Sequence, residues 1–222
     1  ASPVRRVTYT CLDQDKPVLR GKRLSQSSDW CWTATLPLKE THAGKELTIQ
    51  VEAKFKNGET ARSEKNFVYL PQQADIRLTE NWDNLLGNAT HTAKAAAALD
   101  SIPGLAWVKN IGANIYMTSP LIHNGNIYTA SVDEDLKGRA HIYALDGKNG
   151  EIKWRYPVKS SVKNTIAIDN GLVFAQDVLG NLYAVDCESG KLCWESKLPV
   201  NGLPALIDGL VACDGVVYAG IG

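Results

Sequence analysis

Hydrophobic and polar residues alternate along "LTIQVEAKF", so that Leu47, Ile49, Val51, Ala53 and Phe55 fall on one side and Thr48, Gln50, Glu52 and Lys54 on the other. A period of two is the mark of a half-buried β-strand. The runs "VRRVTYTCLD", "DWCWTATLPL" and "ARSEKNFVYLP" are similarly rich in Val, Thr, Tyr, Trp and Phe. Polar clusters separate them: "DQDKP", "SQSSD", "HAGK" and "KNGE". Asn57-Gly58 between two alternating runs predicts a hairpin. Short strands at this spacing predict a small antiparallel sandwich of immunoglobulin type over residues 1–71. The Cys…Trp…Cys spacing of antibody domains is absent, so the expectation concerns architecture alone.

Residues 72–106 read as a linker and a lead-in segment, with an Ala-rich piece at Ala95–Leu99 good for one or two helical turns before "SIPG" stops it. From residue 107 the pattern repeats. "ALDGKNGEIKW" and "AVDCESGKLCW" place Ala144, Asp146, Gly150 and Trp154 forty residues ahead of Ala184, Asp186, Gly190 and Trp194. A second marker, Asn-Gly or Asp-Gly followed by an aromatic, recurs in "HNGNIYTA", "DNGLVFAQ" and "CDGVVYAG", its glycines 46 and 44 residues apart. Trp107 precedes Trp154 by 47. A period of this size with several strands per unit predicts propeller blades of four antiparallel strands. Two are complete within 107–222, a third is begun, and Trp107 supplies one strand of a unit before them. The fold class expected is therefore all-β: a small sandwich, then an incomplete propeller.

Physical roles follow for the repeated residues. Asp146 and Asp186 bond their own turn backbone, and Gly150 and Gly190 take a left-handed conformation. Trp154 and Trp194 fill the gap between neighbouring blades, and Ala144 and Ala184 are small where an indole lies against them.

At these residues the second part resembles the PQQ-like, quinoprotein-type β-propeller family, whose tryptophan-docking motif carries the same Ala, Asp, Gly and Trp. The Thr usual before the Gly is Asn149 in one copy and Ser189 in the other. "NWDNLLGNATHTA" (Asn81–Ala93) resembles the Trp-x-x-x-x-Gly-Asn-x-x-His segment ahead of the first blade in that family. The resemblance implies a blade scaffold more than an activity. Quinone-dependent members need a closed propeller, a calcium held by carboxylates and amides, an aspartate base and often adjacent cysteines; no adjacent cysteines occur here. A sandwich, a lead-in and PQQ-like blades in that order also resemble the C-terminal part of multidomain bacterial calcineurin-like phosphoesterases. That resemblance implies a two-metal catalytic domain upstream, whose Asp-x-His, Gly-Asn-His and Gly-His-x-His segments this sequence lacks.

Composition narrows the partners. Twenty-four Lys and Arg balance twenty-four Asp and Glu, which gives no broad electrostatic footprint for nucleic acid. No apolar run reaches the roughly 20 residues of a membrane helix. "ASPVRR" lacks the regions of a signal peptide and is open to reading as a cytosolic start, a mature secreted end or a cut end. Cys187 and Cys193 flank a turn; a bond between them is geometrically conceivable, and two buried thiols are the alternative preferred here. His42, His91, His123 and His141 lack metal-ligand spacing. "DEDLKG" (Asp133–Gly138) reads as a solvated loop, and Trp30 and Trp32 as sandwich core or a sugar platform.

No catalytic, cofactor or metal residue is therefore expected in this segment. The expected role is a scaffold or a protein- or glycan-binding region, periplasmic or extracellular, beside a phosphoesterase domain outside the sequence. A quinone-dependent dehydrogenase fragment, an outer-membrane assembly scaffold and a carbohydrate-binding module are the alternatives. The expected partners are the rest of the propeller and the upstream domain, and open strand edges invite self-association.

Overall fold

The computed structural model describes residues 3–28, 31–69, 80–95, 106–133, 138–199 and 209–220. By internal contacts the chain divides into two units, 1–74 and 75–222. Among the described residues the only helices are two short 3₁₀ turns, and no helix is long and apolar enough to cross a membrane.

In the first unit, β1 (Val4–Asp13), β2 (Lys16–Arg23), β5 (Glu46–Phe55) and β6 (Thr60–Val68) form an antiparallel sheet in the order β2-β1-β5-β6. A separate pair joins β3 (Ser25–Ser28) to β4 (Cys31–Thr33). Val7, Tyr9 and Cys11 stand opposite Ala53, Val51 and Ile49, so the alternating apolar face of β5 meets a matching face of β1. Val7, Tyr9, Cys11 and Leu47 are buried there.

Two expectations change. "SQSS" is strand β3 rather than a turn, and among the described residues of "DWCWTATLPL" only Cys31–Thr33 is a strand. β2, in a stretch broken by Pro17 and Gly21, carries no alternation yet forms the sheet's edge, where a missing N–H is tolerated. Trp30 lies outside the described residues, as do Ala96–Leu99 and Glu134–Lys137 of the Ala-rich and acidic stretches.

In the second unit, β7 (Leu121–His123), β8 (Asn126–Ala130), β9 (His141–Asp146) and β10 (Ile152–Pro157) make one four-stranded sheet. A second contains β11 (Ala167–Asp169), β12 (Leu172–Gln176), β13 (Asn181–Asp186) and β14 (Leu192–Lys197). β15 (Val211–Cys213) and β16 (Val216–Tyr218) begin a third. This is an all-β fold of antiparallel propeller blades, incomplete as a ring. Each inner hairpin turns through two residues with positive φ, at Asn124-Gly125, Asn170-Gly171 and Asp214-Gly215. That conformation matches the right-handed twist of the strands.

One buried cluster runs from Leu121, Tyr128 and Ile142 to Ile168, Val173 and Tyr183, so the first two blades share a core. A second joins Phe174 and Ala184 to Leu210 and Ala212 of the third. No strand forms around Trp107; residues 106–110 are irregular, because no neighbouring strand of the described chain pairs with them.

Candidate functional site

Across the first blade Tyr128, Ala144 and Trp154 stand in register on three adjacent strands. The alanine between them lets the two rings approach to 6.0 Å between centroids. Across the second, Phe174, Ala184 and Trp194 repeat the arrangement at 5.9 Å. A register shift precedes each indole, with Lys153 and Cys193 as the extra residues, and such a bulge re-aims the side chain that follows.

The indole reaches the next hairpin turn. Trp154 Nε1 donates to the Cys187 carbonyl at 2.9 Å, and the Tyr128 hydroxyl donates to the same oxygen at 3.2 Å. The Trp154 ring lies on Gly190, where an added Cβ would be 2.6 Å from Cδ2. Trp107 does the same one blade earlier, donating to the Gly147 carbonyl at 3.0 Å and covering Gly150.

Both turns are built alike. The Asp146 carboxylate accepts the Lys148 amide at 2.8 Å, and that of Asp186 accepts the Ser189 amide and hydroxyl at 2.7 and 2.6 Å. The hydrogen bonds from Ser189 hold the Asp186 carboxyl below the usual range. Gly150 and Gly190 close the turns at φ 71° and 68°. Trp194 differs: it leans on Phe174, is 38% exposed, and has no third turn against it among the described residues.

Sequence reasoning missed a second tie. The lead-in crosses the inner strands of all three blades in three residues, Trp82–Asn84. Trp82 exchanges both backbone hydrogen bonds with Ile122, and the Asp83 carbonyl accepts the Ile168 amide at 2.7 Å. The buried Asn84 side chain bonds both the amide and the carbonyl of Ala212, at 2.8 and 3.2 Å, like a strand of one residue. His123 Nδ1 and the Asp83 carboxylate are 2.7 Å apart. Burial still pushes the Asp83 carboxyl up, outweighing the hydrogen bond from His123 that draws it down. The resemblance of Asn81–Ala93 to a pre-blade segment was the available signal, but it marked Trp82 and not Asn84.

The cysteines depart from expectation in one respect. Cys187 and Cys193 are both free, but only Cys187 is buried. Cys193 is the bulge residue of the outermost strand, which explains its exposure. Burial pushes the Cys187 thiol up to about 12. Because the thiolate is the nucleophile, a disulfide-exchange reagent at pH 8 should modify Cys193 rapidly and Cys187 only on unfolding, read by peptide mass. Equal labelling of both in the folded protein would contradict this geometry. Asp133, expected in a solvated loop, is buried, and its carboxylate accepts the Gly138 amide at 2.6 Å.

A quinone held through a calcium needs a converging set of oxygen donors. Among the described residues no group of three or more His, Cys, Asp or Glu side chains converges on one point. Where the inner strands meet, the lead-in residues Trp82–Asn84 already bond all three. The described residues of this chain do not fit the group.

Comparison with known proteins agrees with the blade geometry. Tetrathionate hydrolase of Acidithiobacillus ferrooxidans is 28% identical over 76 residues, 34% of this chain and 15% of its own. Quinohemoprotein alcohol dehydrogenase ADH IIB of Pseudomonas putida is 26% identical over 127 residues, 49% of this chain and 18% of its own. The solved quinohemoprotein alcohol dehydrogenase of Comamonas testosteroni superposes with a TM-score of 0.53 at 21% identity, over 68% of this chain and 24% of its own. The chain thus spans less than a quarter of the length of each of these relatives. The family described as outer membrane protein assembly factor BamB matches residues 86–221, more than half of the chain, and the chain belongs to that family of PQQ-like repeat propellers.

Proposed function

We propose that this chain is a non-catalytic scaffold and binding region of a larger secreted bacterial protein, its first unit an immunoglobulin-like module and its second part of a propeller. The observation that carries the reading is the use of the repeated motif. Its indoles, glycines and aspartates are spent on seating one blade on the next, through Trp107 on Gly147 and Gly150 and Trp154 on Cys187 and Gly190. The positions of these side chains are explained by blade seating and turn closure without a substrate, and a fold by itself carries no activity. The parent is proposed to carry a metallophosphoesterase domain ahead of Ala1, in the periplasm or outside the cell.

The test is direct. The purified chain should hydrolyse p-nitrophenyl phosphate no faster than buffer with added manganese. With quinone and calcium it should reduce no dye with ethanol. Turnover in either assay that survives repurification would overturn the reading.

A second reading is a scaffold that binds protein partners in outer-membrane assembly. It is favoured by the family match over residues 86–221. Capture of outer-membrane assembly proteins from periplasmic extract by the second unit's blades, lost on unfolding them, would choose it over the phosphoesterase accessory.

A further inference from the structure

The formal charge of the chain is zero, but the first unit does not distribute its cations evenly. Arg5, Arg6, Arg23 and Lys54, with Phe55 and Gly58, line one cavity of about 480 Å³. Strand register explains the convergence. Thr8 stands opposite Arg23 on β2 and Glu52 on β5, and Arg6 stands opposite Lys54, so Arg6, Arg23 and Lys54 share the polar face of the sheet. Consecutive residues of a strand normally point to opposite faces. Here the register shifts between Val4 and Arg6, and the extra residue is Arg5. A bulge of this kind brings two neighbours toward one side. That is how two adjacent arginines line one hollow.

The local carboxylate is already committed. Glu52 pairs with Arg62 at 2.9 Å and with Lys54 at 3.6 Å, and Arg62 holds its carboxyl below the usual range. Arg5, Arg6 and Arg23 make no ion pair with a described residue. Three guanidinium forks beside an ammonium repel one another, and an anion with several oxygens removes that repulsion. Guanidinium geometry matches tetrahedral oxyanions through paired hydrogen bonds, and the number of cations exceeds what one carboxylate neutralises. The half-buried Phe55 gives the hollow an apolar edge.

We propose that the Arg5–Arg6–Arg23–Lys54 hollow is a binding site for phosphate-bearing anions. The site belongs to the first unit and is independent of the propeller reading. Its ligand is either a free phosphorylated solute or a phosphate carried on a lipid headgroup.

Titration calorimetry of the full chain with inorganic pyrophosphate separates these sources from each other when paired with sedimentation against vesicles. The vesicles are of phosphatidylglycerol, with phosphatidylcholine as the neutral control. Binding of pyrophosphate assigns a free solute, and binding of phosphatidylglycerol vesicles alone assigns a headgroup. In either case Arg23→Ala and Arg6→Ala should each weaken binding about tenfold, and rising salt should weaken it further. Lys65→Ala, on the opposite face of the same sheet, should leave it unchanged. All these positions are exposed, so circular dichroism should show native folding for every variant. Failure of both probes to bind, or binding that Arg23→Ala and Arg6→Ala leave intact, would overturn the site.

Discussion

Trp154→Ala should lower the stability of the blade unit by about 3 kcal/mol, and Trp194→Ala by less than about 1 kcal/mol. The two tryptophans occupy the same place in the repeat and make the same contact with an aromatic across an alanine. They differ in what lies beyond. Trp154 packs against the core shared by the first two blades, and its Nε1 satisfies the Cys187 carbonyl. Removal opens a cavity between blades and leaves the oxygen with the Tyr128 hydroxyl alone. Trp194 faces solvent with more than a third of its surface, so truncation exposes little that was dry. In a unit of this size the first loss corresponds to a fall in Tm of roughly 6–12 °C. Scanning calorimetry of both variants reads the difference. Equal losses would mean that the indole stabilises its own sheet and not the junction with the next.

The same comparison shows what the sequence made legible. Asp146, Gly150 and Trp154 are local: a turn that closes on its own aspartate and a glycine with positive φ are written within eleven residues. Their duplication forty residues on betrays the blade. The three Asn-Gly or Asp-Gly turns are local in the same sense. What escaped notice depends on partners far along the chain. β2 lacks alternation because an edge strand with Pro17 and Gly21 is held by β1 and not by its own pattern. "SQSS" becomes a strand only because β4 pairs with it. Asn84 reads as one more polar residue in a loop until Ala212, 128 residues away, supplies the backbone groups it bonds. The bulges at Arg5, Lys153 and Cys193 are invisible for another reason. They are features of register between two strands, and a single run of letters contains no register.

Gly190→Ala should be nearly as damaging as the loss of the indole it supports, although it adds one methyl group. The residue has φ 68°, where a side chain costs about 1–2 kcal/mol. Its Cβ would stand 2.6 and 2.7 Å from Cδ2 and Cγ of Trp154, well inside contact distance. Relief requires the ring to move off the turn and give up its hydrogen bond to Cys187, an overpacking cost of about 1–3 kcal/mol. Gly171→Ala isolates the first component. That glycine has φ 74° and nothing within 4 Å of an added Cβ, so only the backbone strain should appear. Combining Gly190→Ala with Trp154→Ala isolates the second, because the methyl group then meets empty space. The double variant should be less destabilised than the sum of the singles by more than about 1 kcal/mol, the range found for residues in direct contact. Denaturant unfolding of the four variants and the parent measures each value. Simple additivity would place the Gly190 effect in the turn alone and remove the glycine from the seat of the indole.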